Sequence, residues 1–110
     1  MLPKEILEVI KKHEIRICND IPTNDILLDL KVNEVLSDQD IFIINKFDEN
    51  IYKNLQLIKI LKSRGTKDFS IFCTALKKLD IRNVKELGAL LETDANEATN
   101  SRGIINNTNV

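Results

Sequence analysis

Residues 57–92, LIKILKSRGTKDFSIFCTALKKLDIRNVKELGALLE, set a glycine between two stretches that both repeat apolar residues at helical spacing. Ile58 and Leu61 lead into Gly65, and Phe69, Phe72, Cys73 and Leu76 follow it at i, i+3, i+4 and i+7, the pattern of one buried helical face. The spacing predicts a helix over 50–64 that ends at Gly65, where a left-handed residue costs glycine nothing. It predicts a second helix from Thr66 or Lys67. Asn83 with Glu86 three residues on reads as a capping box, and Val84, Leu87, Leu90 and Leu91 as the inner stripe of a last helix.

Working outward, the same period holds back to the N-terminus. Pro3 suits the first turn of a helix that carries Ile6, Ile10, Ile17 and Ile21 and ends by Pro22. Thr23 or Asn24 can cap a second helix with Ile26, Leu27 and Leu30 inward. Ser37 with Asp40 forms a shortened capping box that opens a third at Ile41 and Ile44. The run IFII (41–44) has strand composition but no pairing partner nearby. Six short helices joined by short links should pack as an all-α bundle, consecutive helices antiparallel. From Thr93 the chain turns rich in Asn, Thr and Ser, so residues 93–110 read as a disordered tail or linker after a domain at 1–92.

The chain has 110 residues, 43% of them apolar, and a net charge of −1. That fits one domain and gives no basic field for nucleic acid. No apolar run spans a bilayer and no signal-peptide core is visible, so a soluble cytoplasmic protein is expected. Cys18 and Cys73 have no metal-ligand spacing and sit among apolar neighbours, which predicts free buried thiols. No metal or cofactor is expected.

With the Arg64-Gly65 corner, the Phe69, Phe72-Cys73, Ala75-Leu76 helix and the closing Leu90-Leu91 in place, residues 57–92 resemble the C-terminal half of a caspase recruitment domain. HEIRICNDI (13–21) is similar to its first helix, and DILLDLKVNEVLSDQD (25–40) to its second and the start of its third. Helix 1 and the Arg-Gly hairpin look closest to initiator-caspase prodomains. The resemblance implies a six-helix Greek-key bundle of the death-fold superfamily. It implies no catalysis, and partners of its own kind: a caspase, an apoptosome-type scaffold, or further copies in a self-assembly.

In that family a basic face on helices 1 and 4 commonly meets an acidic face on helices 2 and 3 of the partner. Residues 23–46 here hold Asp25, Asp29, Glu34, Asp38 and Asp40 against Lys31 and Lys46, whereas residues 47–79 are net basic. The acidic set and the basic set Lys12, Arg16, Lys59 and Lys62 are therefore the candidate faces. Glu14 falls near a frequent basic position of the family, and Leu55 replaces a frequent arginine. Phe42, Ile43, Tyr52 and Leu55 instead suggest an apolar patch.

LETDA (91–95) resembles an initiator-caspase cleavage site, with Asp94 before the cut. Catalysis is not expected: His13 is the only histidine and reads as a satisfied boundary residue. The rival reading is a small DNA-binding or structural domain, with helix 5 as a recognition helix offering Lys67, Ser70, Thr74 and Lys77.

Overall fold

The structure, a computed structural model, describes the backbone of residues 1–107 and the side chains of residues 1–100. Six helices account for nearly all of it: α1 (Lys4–Asp20), α2 (Thr23–Val32), α3 (Asp38–Ile44), α4 (Asn50–Lys62), α5 (Thr66–Lys78) and α6 (Arg82–Asn107). There is no strand among the described residues; IFII is the end of α3. No described helix is long and apolar enough to cross a membrane.

The core is the set of inward stripes read from the sequence, except that Ile41 and Leu90 are only partly buried. Ile6, Ile10 and Ile17 of α1, Ile26 and Leu30 of α2, Leu57 and Leu61 of α4, Phe72 and Leu76 of α5, and Leu87 of α6 are almost wholly removed from water. Each such side chain contributes roughly 1.5–3 kcal/mol of hydrophobic stabilisation. The wiring is that of a Greek key rather than a succession of neighbours. α1 packs mainly on α4 and α6, and α2 on α5 and α4, while α3 leans on α4 and α5 on α6. Consecutive packing was expected throughout, but the turn at Pro22 sends α2 away from α1, whose flanks are filled by α4 and α6. Leu2 N–H donates to the Lys62 carbonyl at 3.2 Å, and Asn54 reaches Cys18 and Ile21, so α1 and α4 run antiparallel.

Several local expectations hold and others need correction. Ser37 and Asp40 form the capping box of α3: Asp40 N–H donates to Ser37 Oγ at 3.1 Å, and Ser37 N–H to Asp40 Oδ2 at 2.9 Å. Gly65 is not left-handed; at φ −99° and ψ 174° it is extended backbone leading into α5. α4 already closes at Lys62, where Ser63 and Arg64 N–H groups bond back to Ile60 and Leu61. Gly65 N–H then donates to Asp68 at 3.1 Å. The Asn83–Glu86 cap is not formed either. α6 starts at Arg82, Glu86 takes the Arg82 Nε at 3.3 Å, and the Asn83 carbonyl accepts from Arg16 at 3.3 Å. Thr23 is fully buried, its hydroxyl committed to Asn54 instead of capping α2.

The largest departure is at the C-terminal end. Residues 93–107 continue α6 instead of forming a disordered tail; residues 108–110 lie outside the described residues. The helix persists because Ala95 is buried and Ala98 packs against the core, four and seven residues beyond Leu91 on one stripe.

Candidate functional site

The residues that could meet a partner lie on α1, α2, α3, α4 and the turn between α2 and α3, and the structure sorts them by what they already touch. Asp25 is exposed on the first turn of α2, with no ion-pair partner among the described residues. Asp29, one turn on, is half-buried; it lies 3.6 Å from Lys78 Nζ and accepts from Asn33. Glu34 is exposed and takes φ 62°, the only non-glycine positive φ in the described chain. This left-handed residue closes the end of α2, with Val35 N–H bonding back to Leu30 at 2.8 Å. Asp38 pairs at 2.7 Å with Lys31 at the surface.

Asp40 has a different job. Burial pushes its carboxyl up, but hydrogen bonds from Ser37 and the Arg64 guanidinium outweigh this and hold it below its ordinary value of 3.8. Arg64 pairs with Asp40 and also donates through Nε to the Val35 carbonyl at 3.2 Å. The arginine of the Arg-Gly corner is thus an internal bolt that fastens the α4–α5 turn to the α2–α3 turn. Because the folded-state pKa is depressed, Asp40 contributes stability above about pH 3.8, and this is lost as pH falls through its lower folded value. Urea unfolding followed across the acid range should show this loss in the wild type. Asp40→Asn should be less stable at neutral pH and flatter in that range.

The basic set is largely neutralised from within. Lys12 lies 3.7 Å from Asp94, Arg16 3.4 Å from Asp20, and Lys62 3.7 Å from Glu14. Lys59 alone of the four has no acidic partner among the described residues, and Lys11, one position before Lys12, is likewise exposed and unpaired. Exposed pairs of this kind are worth at most about 1 kcal/mol, so exchanging them for other partners costs the fold little.

Apolar exposure is more extensive than the sequence reading anticipated. Phe42, Tyr52 and Leu55 are exposed and Ile43 is half-buried. Phe42 is partly covered by Lys46, whose Nζ stands 5.0 Å from the ring centroid, while Tyr52 rests against Phe47 at 6.5 Å. Three residues not singled out in the sequence are barer still: Ile15 on α1 and Leu28 and Val32 on α2. Their signal was an apolar residue off the inner stripe of an amphipathic helix.

Asp94 sits where an accessible cleavage site cannot be. Its carboxylate accepts from His13 Nε2 at 2.7 Å, its backbone is helical, and its neighbour Ala95 is buried. The hydrogen bond from His13 holds the Asp94 carboxyl below its ordinary value against the opposing effect of burial, with Lys12 adding to the depression. A protease needs extended, exposed backbone. His13 is accordingly the satisfied boundary residue expected. Both cysteines are free and buried; burial pushes the Cys73 thiol up to about 12, which removes it as a nucleophile at neutral pH. The proposed recognition helix α5 is packed between α2 and α6, and Lys77 is tied to Glu92 at 2.7 Å, leaving Lys67 as the one unpaired cation of its expected reading face.

The chain matches the profile of the caspase recruitment domain over residues 7–90, most of its length. It belongs to the caspase recruitment domain family. As a caspase recruitment domain it is a homotypic protein-interaction module of the all-α death fold, of a family that binds and does not catalyse. No curated protein and no solved structure matched the chain. In this caspase recruitment domain the matched region ends before Leu91, so the part of α6 that pairs with His13 and Lys12 lies beyond the family signature.

Proposed function

We propose that this domain recruits or regulates a caspase in apoptotic or innate immune signalling, through head-to-tail contact between an α1/α4 face and an α2/α3 face. The protein would be an initiator-caspase prodomain or an adaptor consisting of the domain alone, acting in the cytoplasm. The observation that carries this reading is the balance of exposed charges without an ion-pair partner among the described residues: Asp25 and Glu34 on α2 and the turn after it, against Lys59 on α4 and Lys4 and Lys11 on α1, where Glu8 is the one acid among them. Unlike faces on one chain are heterologous, so a contact can repeat from copy to copy without closing. Each contact would be weak, with Kd of order micromolar. Repetition then raises the local concentration of whatever the domain carries.

Unpaired charges are the right handles for a test, because changing them does not break an internal pair. Asp25→Lys should weaken binding to a wild-type partner copy, and Lys59→Glu on that copy should restore it, as measured by titration of purified domains. Loss without rescue would argue against opposed charges as the contact.

A further inference from the structure

We infer that the contact between copies has an apolar centre, formed by Ile15 of one copy seated against Leu28 and Val32 of the next. This deepens the head-to-tail reading above and rests on it. Ile15 is 80% exposed, Leu28 69% and Val32 70%; after Met1 they are the most exposed large apolar side chains among the described residues. Each stands on the outer ridge of its helix. On α1, Glu8, Lys11, Lys12 and Ile15 fall at i, i+3, i+4 and i+7; on α2, Asp25, Leu28, Asp29 and Val32 do the same.

The two ridges therefore share a design with opposite net sign: on α1 an apolar knob beside Lys11 and Lys12, with Glu8 a turn further off, and on α2 two knobs beside Asp25 and Asp29, where the neighbouring Lys31 is already paired with Asp38. That complementarity, carried on a single chain, selects a second copy as the occupant. An anionic membrane would be repelled by the α2 ridge. The aromatic corner at α3–α4 is a weaker candidate, since Lys46 already covers Phe42 and Tyr52 rests on Phe47.

The internal pairing of the basic face gives the apolar centre its importance. Lys12, Arg16 and Lys62 each already face an acid in their own chain, so meeting a partner exchanges one weak pair for another. Burying the aliphatic side chains of Ile15, Leu28 and Val32 has no such offset. The flanking charges set orientation and exclude like-signed mispairing, while the knobs supply affinity.

The test is sedimentation velocity on the full chain and its variants over a concentration series. Wild type should self-associate, with only a few-fold change in association between low and moderate salt. Ile15→Asp and Leu28→Lys should each weaken self-association by about tenfold or more. An equimolar mixture of the two should regain association but stop at a one-to-one complex, because each variant keeps the face the other has lost. Both side chains are exposed, so circular dichroism and the melting midpoint should stay at wild-type values. If either variant proves unstable, Ile15→Ser and Leu28→Ser make the same comparison. Variants that associate as wild type does, or a mixture that stays monomeric, overturn the apolar centre and leave the charged faces standing. A wild-type chain that remains monomeric at about millimolar concentration overturns the contact between copies itself.

Discussion

Asn54→Ala is expected to cost about 3–5 kcal/mol, a large share of the stability of a domain of this size. Asn54 is completely buried in the middle of α4. Its Nδ2 donates to the carbonyls of Cys18 and Ile21, both at 2.9 Å, and its Oδ1 accepts from the Thr23 hydroxyl. Cys18 is in the last turn of α1 and Ile21 just beyond it, where carbonyls have no partner within the helix. Asn54 is thus a cap supplied by a different helix, and truncating it strands two carbonyls and a hydroxyl in a place water does not reach. Asn54→Leu should fare little better despite the added apolar volume. Asn54→Asp should be worse at neutral pH, since it sets a carboxylate against two carbonyl oxygens. Thr23→Val removes one partner and should cost about 1–2 kcal/mol. Urea unfolding of the four variants gives the ranking; an Asn54→Ala domain as stable as wild type would refute the role.

Gly88→Ala should destabilise by about 1–3 kcal/mol even though alanine is the better helix former by about 1 kcal/mol. A Cβ at position 88 would stand 2.8 Å from the Cys73 carbonyl oxygen and 2.9 Å from Leu76 Cβ. One of these is backbone and the other is the root of a buried side chain, so neither can swing away. Gly88 lets α6 lie directly on α5, and a methyl group there pushes the two apart. Gly65→Ala is the control, because its Cβ would meet only Asp68 Oδ2 at 3.8 Å. Its backbone is already extended, and the change should stay within about 0.5 kcal/mol. A thermal melt of the pair separates the glycine of the family motif, which tolerates a side chain, from the unremarked glycine of α6, which does not.

That inversion illustrates what was legible in the sequence. Helical period made the six elements and their inner faces readable, and Ser37–Asp40 declared its capping box because both partners are local. Contacts that close across the fold left fainter marks. Asn54 belongs to the stripe of Ile58 and Leu61, so a polar residue in a buried register was its signal. Gly88 sits beside Val84, Leu87 and Leu91, where a missing side chain means close approach. Ala95 and Ala98 continue the stripe with methyl groups too small to register against the Asn, Thr and Ser around them. The helices that carry the acidic and basic residues are readable from the sequence, yet sequence could not show that Arg64 takes Asp40 or that Asp94 takes Lys12 and His13, because those pairs exist only once the helices have crossed.

Asn54 links the end of α1, the start of α2 and the body of α4, and Arg64 binds the α2–α3 turn to the α4–α5 turn. These joints hold the two proposed docking surfaces at one angle, so in a head-to-tail assembly every added subunit would inherit the same rotation and rise. The pitch of a filament would be encoded inside the monomer, and loosening a joint would show as wandering curvature before any loss of grip between neighbours.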